Sequence, residues 1–196
     1  MRKSDKNRTK LFDKNFNTLL ANMVASNRRV QVIRVDLRFP KEFEHNGLNQ
    51  EISQFHKNLC QRYRDQGINV GYHTVREQAT SHNPHYHTMI FLNGDKVRSA
   101  YGVKKVCGEI WNKTVGFEGD GLVHHCAHKP EHSIPALEMI NRPSRKATGE
   151  ELKRQKENFD KSCEIAHKHA EYLNKSYSKG KAPHRVREVF TSQIRD

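Results

Sequence analysis

Residues 71–92 constrain the fold of this chain more than any other stretch. Residues 71–78 (GYHTVREQ) have the β-branched and alternating character of a strand, and residues 85–92 (HYHTMIFL) open polar and turn apolar from Met89 onward. Between them lies the turn-prone run SHNP. Two strands so close in sequence predict an antiparallel hairpin. On a strand, residues i and i+2 share a face, so His85 and His87 point the same way and Tyr86 enters the opposite layer. Folding the hairpin brings Glu77 beside His85.

Glu77, His85 and His87 form a carboxylate and two-imidazole set on one surface. The carboxylate favours a hard ion and the imidazoles accept Mn²⁺, so Mg²⁺ or Mn²⁺ is the expected occupant, with open positions left for substrate oxygens. The competing explanation is chance, because the chain carries 13 histidines. The pair stands at the mouth of an expected central strand, across a hairpin from a carboxylate, and this favours ligation.

The balance of charge points to the partner. With 35 Lys and Arg against 22 Asp and Glu, the formal net charge is +13, which suits a polyanion such as nucleic acid. No run of 18 apolar residues and no apolar leader core occur, so the sequence reads as cytoplasmic with no membrane partner. At 196 residues the chain fits one domain with short additions. The four cysteines, Cys60, Cys107, Cys126 and Cys163, are too scattered for a CxxC metal pair. Alternation of Leu122, His124, Cys126 and His128 is better explained by a polar sheet face than by structural zinc.

Three regions are expected: residues 1–28, a basic arm and short amphipathic helix; residues 29–181, the main domain; and residues 182–196, a basic tail that reaches round a sheet edge or contacts DNA. Residues 1–10 show no periodicity, whereas Phe12, Phe16, Leu19, Leu20 and Met23 recur at helical spacing. From Arg29 the pattern becomes that of a strand, with Ile33, Val35, Leu37 and Phe39 on one face and Arg34, Asp36 and Arg38 on the other. That charged face has two readings, an open surface that receives a phosphate backbone or an edge strand protected by charge. Leu48, Ile52, Phe55 and Leu59 mark a helix stopped by Gly67, and Tyr101, Val103, Val106, Ile110 and Trp111 mark a second one. Residues 122–127 supply a further strand. Residues 131–140 are a short helix or an irregular excursion, and a long helix follows along Leu152, Phe159, Cys163, Ala166, Ala170, Leu173 and Tyr177.

The order strand, helix, strand, strand, helix, strand is that of a split βαβ sheet, so the fold class is α+β. The expected architecture is a central antiparallel sheet of RRM-like plan, with helices on one face, an open face for ligand, and a long C-terminal helix carrying a tyrosine. On that last helix Tyr172 and Lys175 lie three apart, nearly one above the other, and His169 adds a polar ring nearby. A YxxK pair is usually unremarkable. Beside a metal-like cluster it gains meaning, because a phenol is a usable nucleophile when a cation favours phenolate and a metal polarises the phosphate.

HYH preceded by a glutamate and followed by YLNK resembles the HUH endonucleases, the replication initiators and relaxases that cut single-stranded DNA. More narrowly, VIRVDLRFP, VREQ…HNPHYHTMIFLNGD, Trp111, GLVHH and AEYLNKSYSK resemble replication proteins of filamentous phages that also occur in bacterial prophages. The likeness spans roughly residues 29–181. It implies that Glu77, His85 and His87 hold the metal, that Tyr172 is the nucleophile and that Lys175 accompanies it. The implied activity is nicking of single-stranded DNA or an origin hairpin to start rolling-circle replication. Tyr177 is five residues after Tyr172, off its face, so the reading is a single-tyrosine enzyme. No GxxxxGK[ST] loop occurs, so a host helicase or supercoiling must open the duplex and a host polymerase must extend the product.

Three other readings compete. A non-catalytic single-stranded nucleic-acid-binding or regulatory protein on the same sheet accounts for the charge, with Arg34, Arg38 and His169 as DNA contacts in either case, but gives no reason for Glu77, His85, His87 and Tyr172. A cupin-like oxygenase expects a glutamate soon after HxH, and none occurs between His87 and Glu109. A two-HxT phosphodiesterase is disfavoured because His73-Thr74 and His87-Thr88 place the hydroxyl one residue along rather than two.

Overall fold

The computed structural model describes residues 3–78, 81–125, 134, 137, 139–174 and 182–193, with backbone alone over 3–11. The elements in order are α1 (Lys3–Ser26), β1 (Arg29–Leu37), α2 (Gln50–Arg64), β2 (Val70–Glu77), β3 (His85–Asn93), α3 (Ala100–Val115), β4 (Val123–His125), β5 (Met139–Asn141), α4 (Gly149–Leu173) and β6 (Val189–Thr191). The protein is α+β, with an antiparallel sheet in the order β4-β1-β3-β2-β6 and β5 pairing the start of β1. The part β1-α2-β2-β3-α3-β4 is the split βαβ plan. The expected hairpin is present, with Glu77 opposite His85 and Val75 opposite His87.

Alternation along the strands divides the molecule into two apolar layers. Ile33, Val35, Leu37, Tyr86, Ile90 and Leu92 face α2 and α3, where Phe55, Leu59, Val103 and Trp111 complete a core. Tyr86 is fully buried there, and the Trp111 indole N–H donates to the carbonyl of Arg38 at 2.6 Å. Ser99 caps the start of α3 through its side chain, and Gly116 ends it in the left-handed conformation (φ 66°) that favours glycine.

The opposite face is not open, which corrects the expectation of helices on one face only. Phe12, Phe16, Leu19, Leu20 and Met23 of α1 and Ala166, Ala170 and Leu173 of α4 pack on Val30, Val32, Val75, Met89 and Phe91. Gly71 permits this close approach: a Cβ there would stand 2.7 Å from Leu19 Cδ1. The helix also begins at Lys3, where an aperiodic arm is expected from the sequence. A stripe of five apolar residues is enough to bury one side of a helix, and the polar turns before it extend the same helix.

Further differences are local. β1 is a central strand paired to β3, β4 and β5, so the protected-edge reading of its charges fails. Leu48 precedes α2 and is 46% exposed, and Tyr101 is 75% exposed, so neither belongs to the core. Residues 139–141 form β5 rather than a helix, because Ile140 pairs with Val30 and completes the α1 and α4 layer. The tail does reach round a sheet edge: β6 adds to β2, with Thr191 opposite His73. Cys126, His128, Lys175 and Tyr177 lie outside the described residues.

Two histidines are sealed inside these layers. His56, on α2, stacks on Tyr72 at 3.8 Å and shares a hydrogen bond of 2.8 Å with Thr74, which in turn donates to Thr88. His73, on β2, shares one with Thr191 and lies edge-on to Phe12. Burial lowers both pKa values from 6.5 to about 3. The unfolded chain therefore binds more protons than the native one between those values, and stability falls as pH drops below 6.5. Each residue contributes up to about 1.4 kcal/mol per pH unit to this loss. Urea midpoints should fall steeply between about pH 6.5 and pH 4, and His56→Gln should flatten the slope; a slope unchanged by that substitution contradicts the assignment.

Candidate functional site

The polar end of the α1/α4 face is built by the register of three strands. Asp36 of β1 lies opposite His87 of β3, and Glu77 of β2 lies opposite His85. Paired residues share a face, so two carboxylates and two imidazoles emerge together just beyond the apolar rows of Val30, Val32 and Phe91. Register also brings His124 of β4 opposite Asp36.

His87 occupies the centre. Its Nδ1 donates to Asp36 Oδ1 at 2.6 Å and its Nε2 donates to Glu77 Oε2 at 2.8 Å. An acceptor on each ring nitrogen calls for a proton on each, which is the imidazolium. Burial opposes that charge, but the hydrogen bonds and charges of Asp36 and Glu77 outweigh it and raise the pKa. His85 shifts the other way, lowered by burial and then by Arg38 and His87 against the pull of Glu77 and Asp36. The same end of the sheet thus favours the charged form of one imidazole and disfavours that of its neighbour.

This donor set suits a divalent ion in its chemistry and partly in its geometry. Two ligands about 2.1 Å from an octahedral ion in adjacent positions lie about 3 Å apart, close to the 2.8 Å between Glu77 Oε2 and His87 Nε2. In this structure the two atoms are hydrogen-bond partners, and His85 lies on the same face of the sheet. Among the described residues, no group of three or more His, Cys, Asp and Glu side chains already surrounds a common point. The proton on His87 Nε2 would have to leave before that nitrogen could ligate a metal.

Tyr172 reaches this end of the sheet from α4. It is partly buried against the α1/α4 core, and the Arg34 guanidinium carbon lies 4.7 Å from its ring centroid. Arg34 Nε stands 3.9 Å from Asp36 Oδ1. A line of contacts thus runs from Tyr172 through Arg34 and Asp36 to His87 and Glu77. Arg34 is only 12% exposed, so it is not a contact on an open face; Arg38 is exposed at the rim. His169 is half-buried on α4, one turn before Tyr172.

Asp36 is the member of this polar cluster that sequence reasoning did not single out. Its signal was its period-two placement between Arg34 and Arg38, but only strand register sets it against His87. Arg34 was read as a phosphate contact, whereas it bridges the tyrosine to the acidic end of the cluster.

In metal-free protein, the His87 ring should titrate above 6.5 by NMR, and Asp36→Asn should bring it down. The ion pairs of His87 contribute fully to stability below 6.5 and fade as pH rises through the raised value. The same proton competes with a metal, so Mn²⁺ affinity should increase with pH over that range. Affinity unchanged in the His85→Ala, His87→Ala double variant excludes these ligands.

No described helix is long and apolar enough to cross a membrane. No curated protein and no solved structure matches the chain. The family model of the YagK/YfjJ C-terminal domain matches residues 2–187, which takes in all four helices and the whole polar cluster. Matched over nearly its full length, the chain belongs to the YagK/YfjJ C-terminal domain family.

Proposed function

We propose that the protein is a metal-dependent endonuclease and strand transferase that nicks single-stranded DNA at an origin and starts rolling-circle replication. The observation that carries this reading is the contact of Tyr172 with Arg34, which ties an otherwise ordinary helical tyrosine to the Asp36, His87 and Glu77 cluster. A sheet that only bound DNA would have no need for a half-buried arginine between a phenol and the carboxylate that pairs with His87.

Glu77, His85 and His87 are the residues that would hold Mg²⁺ or Mn²⁺, and a bound ion would supply Lewis-acid polarisation of a phosphoryl oxygen. Asp36 holds His87 through Nδ1, so Nε2 is the nitrogen that would bind the ion once its proton is lost. Arg34 fixes the plane of the Tyr172 ring by a cation–π contact. In the cutting step Tyr172 Oη bonds to phosphorus, the bond from phosphorus to the 3′-oxygen breaks, and the phenol's proton is balanced by one taken up at the 3′-oxygen. The products are a 5′-phosphotyrosine and a free 3′-hydroxyl for a host polymerase. Reversal by that hydroxyl rejoins the strand. Lys175 is assigned the stabilisation of phenolate or of the transition-state charge by resemblance to the HUH endonucleases. In this reading the protein would act with a host helicase and a host polymerase in the bacterial cytoplasm.

Tyr172→Phe removes the nucleophile and keeps the ring over Arg34. It should abolish the covalent adduct and cleavage of end-labelled cognate single strands with Mg²⁺ or Mn²⁺, a loss of at least about 10³-fold, while strand binding is retained. An adduct formed by the variant would make another residue the nucleophile, and none formed by native protein would favour the non-catalytic binding protein.

A further inference from the structure

A second concentration of positive charge lies on the other face of the sheet. α2 exposes Ser53, Lys57, Gln61 and Arg64 at steps of four, four and three, which places them on one side of the helix, away from its buried stripe. Where β6 joins the β2 edge, this side of α2 becomes one wall of a cleft of about 580 Å³, and Arg187 and Ser192 form the other. Tyr72 and Phe190 lie at its base, with Tyr72 stacked on His56 and therefore held in a fixed plane. Asn49 joins the walls by donating to the carbonyl of Arg187 at 2.9 Å.

The lining carries three cations, Lys57, Arg64 and Arg187, and no carboxylate among the described residues. None of the three is in a described ion pair, and all are exposed. Like charges gathered on a surface without counter-charges repel one another, so the arrangement favours an anion that bridges them. Amide and hydroxyl side chains alternate with the cations, and the base is aromatic. Cations spaced along a wall over an aromatic base are suited to a strand whose phosphates follow the rim while a base meets the ring.

We infer that this cleft holds a second segment of single-stranded DNA, separate from the segment at Tyr172. Tyr72 and Phe190 occupy the α2 face of the sheet, whereas Glu77, His87 and Val189 occupy the α4 face. A strand engaged at both places passes round the β6 edge, and the cleft retains it independently of the reacting phosphate. The inference rests on the proposal that the substrate is single-stranded DNA, but not on the nicking chemistry.

The test is fluorescence anisotropy of the full chain with a labelled single-stranded oligonucleotide in EDTA across a salt series. The triple variant Lys57→Gln, Arg64→Gln, Arg187→Gln changes only exposed side chains, and circular dichroism checks that its fold is kept. It should bind roughly tenfold or more weakly, with a salt slope reduced by about 2, since single strands lose about 0.7 per phosphate contact. A strand bearing 5-iodouracil should photo-crosslink to peptides containing Tyr72 or Phe190. Equal affinity and slope for native and triple variant overturn the cleft alone. No binding by native protein overturns both the cleft and the substrate reading. Full displacement of the strand by a nucleoside monophosphate at equal phosphate concentration makes the cleft a free-nucleotide site and overturns it as a strand site.

Discussion

His87 donates a hydrogen bond to a carboxylate from each of its ring nitrogens, and the two carboxylates come from the strands on either side. The polar end of the molecule depends on that single ring. Asp36, His87 and Glu77 meet only while β1, β3 and β2 keep one register. A slip of one residue in any of them would send its charges into the α2/α3 core. The apolar rows on the opposite sides of the same strands forbid the slip, because Leu37, Tyr86 and Ile90 would then leave their layer. Packing on one face therefore specifies chemistry on the other.

The face that carries the cluster is divided along its length. Near the start of β1, Val30 and Val32 receive α1 and α4; further along, Arg34, Asp36 and Arg38 take their place. Helix α4 serves both regions. Its Ala166, Ala170 and Leu173 dock on apolar surface, and Tyr172, adjacent to the last of these, falls over Arg34. Positioning of the tyrosine is thus a consequence of hydrophobic docking, and Arg34 sets its final orientation. The short side chains of Ala166 and Ala170 let the helix lie close enough for this contact.

The same sheet edge governs the rest of the basic surface. Without β6, the exposed side of α2 would be an ordinary solvated helix face. With it, Lys57 and Arg64 stand across a cleft from Arg187. Arg76 supports this corner from within: it is buried and donates to the carbonyl of Gly47 and to Asn49, fixing the loop that leads into α2.

The sequence by itself determined the elements with strong period: the hairpin of β2 and β3, the central strand β1, the amphipathic α2 and α3, and the shared face of His85 and His87. These follow from local geometry, since alternation and helical spacing report which side of an element is buried. Tertiary structure decided what lies over each face. A charged row reads the same in sequence whether the surface above it is open, at an edge, or covered at one end by α1 and α4, because the difference depends on helices distant along the chain. For the same reason Asp36 was legible as a charge but not as the partner of His87, and Arg34 as a cation but not as the support of Tyr172. Both roles arise from contacts between residues 51 and 138 positions apart, which no local spacing encodes.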